Sequence, residues 1–234
     1  GMGRRQDMQA SDFNGLYAII PTPAVPGAAA LDAKDTVALD ETEKLVENLV
    51  GDGADGLIVL GTTGECATLS TNDFHNFVDC VCSTVRKRIP VIVGTTALGG
   101  HEICDRIAFA QAQGADGTML GLPMWQPCTL EMAVEFYRDV AEVFSRFPIM
   151  VYANARAFRF TFPMEFWQAV AREAPTVVSA KCSHARNLAE NITNTNGRIN
   201  FMPSDMVASQ YWEVSPNTTT ACWATAAAMG PEPS

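Results

Sequence analysis

Lys181 closes the run TVVSAK (residues 176–181), in which two β-branched valines and two small residues precede the first charge. Such a run, bounded by Pro175, predicts a fully buried strand of a parallel sheet. The lysine then falls at the strand's carboxyl end, where open α/β sheets and barrels keep their chemistry. Regular alternation puts it on one face with Val177 and Ser179. A lysine desolvated by that wall loses pKa and becomes an amine nucleophile that can attack a ketone. The competing reading is a stem packed on the strand with its ammonium in water. Other polar side chains also follow apolar runs: Thr62, Thr63 and Glu65, then Trp125, Tyr152 with Asn154, and Trp223. A phenol can shuttle protons while an imine forms, and hydroxyls beside glycines can hold a small carboxylate. Taken singly, the threonines also fit an ordinary turn, and Tyr152 a core aromatic with a satisfied hydroxyl.

The elements that must position these residues alternate in type. Strands are expected within LYAIIPTP (16–23), GADGLIVLGTTGE (53–65), VIVG (91–94), GADGTMLGLP (114–123), PIMVYAN (148–154), TVVSAK, INFMP (199–203) and TTTACWA (218–224). Between them, apolar residues at helical spacing predict helices over 40–50, from Ser70 or Thr71 onward, over 101–113, after Thr129, and from Pro163 at its first position. The tetrapeptide GADG occurs at Gly53 and again at Gly114, two strand–helix units apart, suggesting stacked copies of one βα unit. Eight short buried strands alternating with helices predict an α/β (β/α)8 barrel, and the polar residues above then converge on one mouth. A doubly wound open sheet is the alternative, but GTTALGG (94–100) lacks the lysine and the serine or threonine of a phosphate loop. Residues 1–12 are expected to be a disordered or artificially added lead, with Gly1 ahead of Met2 a cloning remnant. Residues 13–234 form one expected domain whose eighth helix and C-terminal helical extension are missing, leaving apolar surface around strands one and eight.

A formal charge of −10 disfavours nucleic acid and anionic membranes as partners. Every apolar run is broken by Pro, Gly or a charge before membrane-spanning length, and no apolar stretch follows Arg4 and Arg5. The expected compartment is the cytosol. Seven cysteines without a CxxC pair are expected to be free buried thiols. His75, His101 and His184 stand apart, so no metal site is expected.

GTTGE at residues 61–65, a tyrosine ending strand five and a lysine ending strand six resemble the dihydrodipicolinate synthase/N-acetylneuraminate lyase family. Members are pyruvate-dependent class I aldolases and lyases on a (β/α)8 barrel. The resemblance spans roughly residues 13–223. It implies that Lys181 forms a Schiff base with a pyruvyl group, that Tyr152 relays protons, and that Thr62 and Thr63 bind the carboxylate. Within the family, GTTGECATL, VGTTAL, GTMLGLPMW, FYRDVAE and YANARAFRFTFP resemble the branch of trans-o-hydroxybenzylidenepyruvate hydratase-aldolases of aromatic-hydrocarbon degradation. Dihydrodipicolinate synthases typically carry a YNxPxRTG-like run where this chain reads YANARAF, with Arg156 out of register, and a tyrosine where Trp125 stands. The implied activity is cleavage of an aryl-substituted unsaturated 2-oxo acid to pyruvate and an aromatic aldehyde. Lys181 would carry the iminium, Tyr152 and Asn154 would position water, and Trp125 and Trp223 would contact the aryl group. The resemblance implies no metal or dissociable cofactor, a small 2-oxo acid as partner, and a homo-oligomer. Another pyruvate aldolase of the family, or a non-catalytic 2-oxo-acid-binding homologue, remains as an alternative.

Overall fold

The computed structural model describes residues 7–61, 68–123 and 127–226. Eight parallel strands form one sheet: β1 (Gly15–Ile20), β2 (Gly56–Val59), β3 (Val91–Gly94), β4 (Gly117–Leu120), β5 (Ile149–Tyr152), β6 (Val177–Lys181), β7 (Asn200–Met202) and β8 (Ala221–Thr225). Their order, β7-β6-β5-β4-β3-β2-β1-β8, wraps the sheet so that its two ends meet. The helices between them are α1 (Leu39–Gly51), α2 (Thr71–Val85), α3 (Gly100–Ala112), α4 (Leu130–Val143), α5 (Ala155–Phe158), α6 (Met164–Glu173), α7 (Leu188–Thr195) and α8 (Ala208–Val214). The fold is a (β/α)8, or TIM, barrel.

Local chemistry explains the boundaries. β1 stops before Pro21, which has no N–H for the ladder. Ser70 caps α2 by accepting from the Asp73 N–H, and Thr129 caps α4 by accepting from the Met132 N–H. Pro163 is the N-cap of α6 rather than its first residue, one position earlier than expected. The GADG repeat has a structural cause. Gly53 and Gly114 take φ of 93° and 91°, the left-handed turn that ends α1 and α3. The aspartates two residues on accept strand N–H groups, Asp55 from Leu16 at 2.8 Å and Asp116 from Val91 at 2.9 Å.

Side chains divide into two layers. Inside the barrel lie Phe13, Tyr17, Ile19, Ile58, Ile92, Met119, Met150, Val178 and Met202. The larger layer, between strands and helices, holds Ile20, Leu57, Val93, Leu120, Val151, Val177 and Ala180 with the apolar helix faces. Alternation fails once, in β6. Its register against β5 shifts between Ile149↔Val177 and Met150↔Ser179, so Val178 is an extra residue at a β-bulge. Val177 therefore faces the helices and does not share a face with Lys181, contrary to the expectation from regular alternation.

Closure is uneven. β1 and β8 pair over five residues, whereas β7 and β8 meet through one bridge, Ser204↔Trp223. The Trp223 N–H donates to Pro203 O at 2.9 Å, and Asn200 Nδ2 donates to Thr220 Oγ1 at 3.2 Å. The six described cysteines are free and half-buried rather than fully buried. Burial pushes the thiols of Cys82 and Cys182 up to about 12.

Candidate active site

The bulge at Val178 restores the phase that turns Lys181 into the barrel, level with Tyr152 and Met202 on the neighbouring strands. Lys181 is 6% exposed. Lys181 Nζ donates to Gly61 O at 3.3 Å, across the barrel from β6. It lies 4.6 Å from the ring centroid of Tyr152 and 4.3 Å from that of Trp223. Burial lowers the ammonium from its ordinary 10.5 to about 8, while the two ring faces attract the charged form. The outcome is an amine with a substantial neutral fraction near neutral pH, in contact with a phenol. That combination can attack a carbonyl carbon and dispose of the proton.

Tyr152 ends β5, and the chain turns at once into the single turn of α5. Asn154 makes that turn, its Oδ1 accepting from the Ala157 N–H at 3.0 Å. The cap fixes the amide's orientation, so Nδ2 donates to the Tyr152 hydroxyl at 3.2 Å. With its oxygen occupied as acceptor, the phenol keeps its own proton available to a bound substrate. Trp223 is tied to the end of β6, one strand beyond β7, by its Nε1–H, which donates to Cys182 O at 3.2 Å.

Among the expected site residues, then, Lys181, Tyr152, Asn154 and Trp223 come together at the carboxyl ends of β5, β6 and β8. Thr62, Thr63 and Trp125 lie outside the described residues, although Gly61, next to the two threonines, touches the amine.

Several contributors were not anticipated from the sequence. Gly61 acts through its carbonyl, which no side-chain pattern announces. Below the mouth, Thr95 and Thr118 share a hydrogen bond of 2.7 Å, and Thr96 Oγ1 accepts from the Gly121 N–H at 2.9 Å. The 4%-exposed Arg106 of α3 donates to Leu69 O, beyond β2, and to Thr96 O, beyond β3. Its guanidinium also stacks 5.0 Å from the Phe74 centroid and pairs with Glu102. An arginine every three or four residues from apolar partners was the available signal. Phe158, the last residue of α5, is buried and packs edge-to-face with Tyr152.

A model of the Dihydrodipicolinate synthetase family matches residues 21–202. The chain is 39% identical over 224 residues to a trans-O-hydroxybenzylidenepyruvate hydratase-aldolase of Pseudomonas putida, covering 96% of this chain and 67% of that one. It is 35% identical over 228 residues to a trans-2'-carboxybenzalpyruvate hydratase-aldolase of Nocardioides sp. (strain KP7), covering 96% and 68%. The solved structure of PhdJ bound to a substrate intermediate matches with a TM-score of 0.90 at 32% identity, covering 97% of this chain and 71% of that one. The chain thus spans about two thirds of the length of the curated relatives it matches.

Proposed function

The chain belongs to the dihydrodipicolinate synthetase family, and on that premise we propose that it is a class I lyase, a hydratase-aldolase acting on an aryl-substituted unsaturated 2-oxo acid. The observation that carries this reading is the buried amine of Lys181, held between Tyr152 and Trp223 at the barrel's carboxyl end. The hydratase-aldolases of similar sequence supply the substrate class.

The neutral Lys181 amine attacks the 2-oxo carbon, and the carbinolamine loses water as Tyr152 hands a proton to the departing hydroxyl, leaving an iminium. Conjugation with the iminium makes the aryl-bearing alkene carbon electrophilic, and water oriented by Tyr152 and Asn154 adds there, giving up a proton to the Tyr152 phenolate. The enamine so formed takes that proton back from Tyr152 at the carbon beside the imine carbon, which restores the iminium and leaves Tyr152 as the base. Tyr152 then removes the new hydroxyl's proton as the carbon–carbon bond breaks. The aromatic aldehyde departs, and the bonding electrons pass into an enamine on Lys181. Protonation of that enamine and hydrolysis of the iminium release pyruvate and restore the amine. One water is lost and two are consumed, so the net reaction adds one water. Thr62 and Thr63 bind the substrate carboxylate, and Trp125 and Trp223 take the aryl ring, whose flat face suits indole.

The setting is proposed to be the cytosol. No helix among the described residues is long and apolar enough to cross a membrane. Exposed Met206, Trp212 and Val214 on and beside α8 support a homo-oligomer, which sedimentation would test. For the activity, the protein is mixed with trans-o-hydroxybenzylidenepyruvate. The expected result is loss of its conjugated absorbance with equimolar pyruvate and aldehyde. Borohydride with pyruvate should leave one adduct, on Lys181, and Lys181→Ala should abolish it. An adduct on another lysine removes the assignment. Condensation of pyruvate with aspartate semialdehyde, with no action on the aryl substrate, would replace the hydratase-aldolase by a synthase.

A further inference from the structure

We infer that Phe158, seated on Gly121, is a positioning residue that holds the Tyr152 ring in place for proton transfer; the inference rests on the imine chemistry proposed above. Phe158 ends α5, the one-turn helix that Asn154 caps, and Arg159 then leaves the turn at φ 52°. That turn brings the ring back over the strand ends, where it is 3% exposed. Its centroid lies 5.5 Å from that of Tyr152 at an interplanar angle of 81°, an edge-to-face contact. Behind it is the loop after β4. A Cβ on Gly121 would stand 2.0 Å from Phe158 Cζ and 2.6 Å from each Cε. Gly121 is not among the residues of positive φ, so its missing side chain answers a need for space and not for a special backbone conformation. Its own N–H is fixed by Thr96 Oγ1, so the floor under Phe158 is tied to the framework and cannot readily retreat.

Tyr152 is thereby restrained at three points: the Lys181 amine over its ring, the Asn154 amide on its hydroxyl, and the Phe158 edge against it. The first two are polar and would follow the ring if it moved. Of these three, only the third opposes movement by volume, adding to the ring's packing on the two core layers, and Gly121 decides how far it can sit back.

The test compares Phe158→Leu, Phe158→Met, Gly121→Ala and the double variant Gly121→Ala/Phe158→Leu. The readout is deuterium entry into the methyl group of pyruvate, followed by NMR, which requires only the imine and its enamine. The saturating exchange rate should fall by about tenfold in each single variant, as expected for a displaced proton-transfer group, with half-saturating pyruvate changed by less than about twofold. The borohydride adduct at Lys181 should still form to completion. The double variant should be no slower than the slower single, because leucine vacates the space the new methyl needs. Folding is checked by near-ultraviolet circular dichroism, and Phe158→Met, which keeps most of the volume, supplies a folded variant if leucine does not. Unchanged saturating rates in folded variants, or losses that simply add in the double variant, would overturn the inference. Absence of both exchange and adduct in the unaltered protein is a different result, and overturns the imine reading itself.

Discussion

At the scale of the residue, the amine of Lys181 is governed by desolvation. Its folded value of about 8 lies below the ordinary 10.5, so the neutral nucleophile gains population as pH rises through about 8. Adduct formation with pyruvate and cyanoborohydride should therefore rise with pH between 6 and 8.5 and then level off; a rate that keeps rising toward the ordinary 10.5 would contradict a desolvated amine. The same displacement has a thermodynamic side. Below about 8 both folded and unfolded chains carry the proton, and the folded chain bears the full cost of a buried charge. Between about 8 and 10.5 the unfolded chain binds more protons, so stability rises with pH. Lys181→Met removes this component and should stabilise the fold at pH 6 to 7, by up to about 3 kcal/mol. Denaturant unfolding at pH 6.5 and 9.5 would show the advantage shrinking at the higher pH.

Asn154 can be divided chemically. Asn154→Asp keeps an oxygen to cap α5 but exchanges the amide donor for an acceptor facing the Tyr152 hydroxyl. The variant should retain its melting temperature within a few degrees and lose about tenfold or more in turnover. Asn154→Ala should lose the cap as well, costing about 1 kcal/mol. Turnover in both variants equal to that of the unaltered protein, together with unchanged stability in Asn154→Ala, would show that neither contact matters.

At the scale of the element, the aspartates of the GADG repeat serve the frame. Asp55→Ala leaves the Leu16 N–H at the start of β1 without its acceptor. A loss of about 1–2 kcal/mol in unfolding free energy is expected, with the Lys181 adduct still forming in the folded protein. This scale was also the most legible in the sequence. All eight strands fall within or against the apolar runs that suggested them, and VIVG coincides with β3 residue for residue. Burial on both faces makes a parallel strand a plain apolar run bounded by breakers, so it can be read locally. The bulge in β6 was not legible, because Val, Ser and Ala are tolerated on either face and nothing in VVSAK marks which residue is surplus. Helices α5, α7 and α8 were also missed; each is short, and α7 and α8 owe their formation to packing on the strands more than to periodicity. In the site, the polar strand ends were readable from position, including Asn154, whose type suits a cap. The carbonyl of Gly61, the seat of Phe158 on Gly121 and the reach of Arg106 are tertiary facts, invisible until distant segments meet.

At the scale of the whole molecule, one residue belongs to two structures. Trp223 supplies the only backbone bridge between β7 and β8 among the described residues, and its ring is one of the two walls around the amine. The wall of the barrel is thus a hoop fastened thinly at one joint, and the fastening also walls the chamber around the Lys181 amine. Whenever that joint opens, water reaches Lys181 and the amine reverts toward its ordinary affinity for protons. Acid should therefore pry the hoop apart: below about pH 8 a wetted ammonium is preferred over a buried one, and opening is favoured. Amide exchange at Trp223, corrected for the intrinsic rate, should be more frequent at pH 6.5 than at pH 9, and the difference should vanish in Lys181→Met. The mouth of the barrel and the closure of its wall would then breathe as one unit, with the proton on a single lysine setting how often.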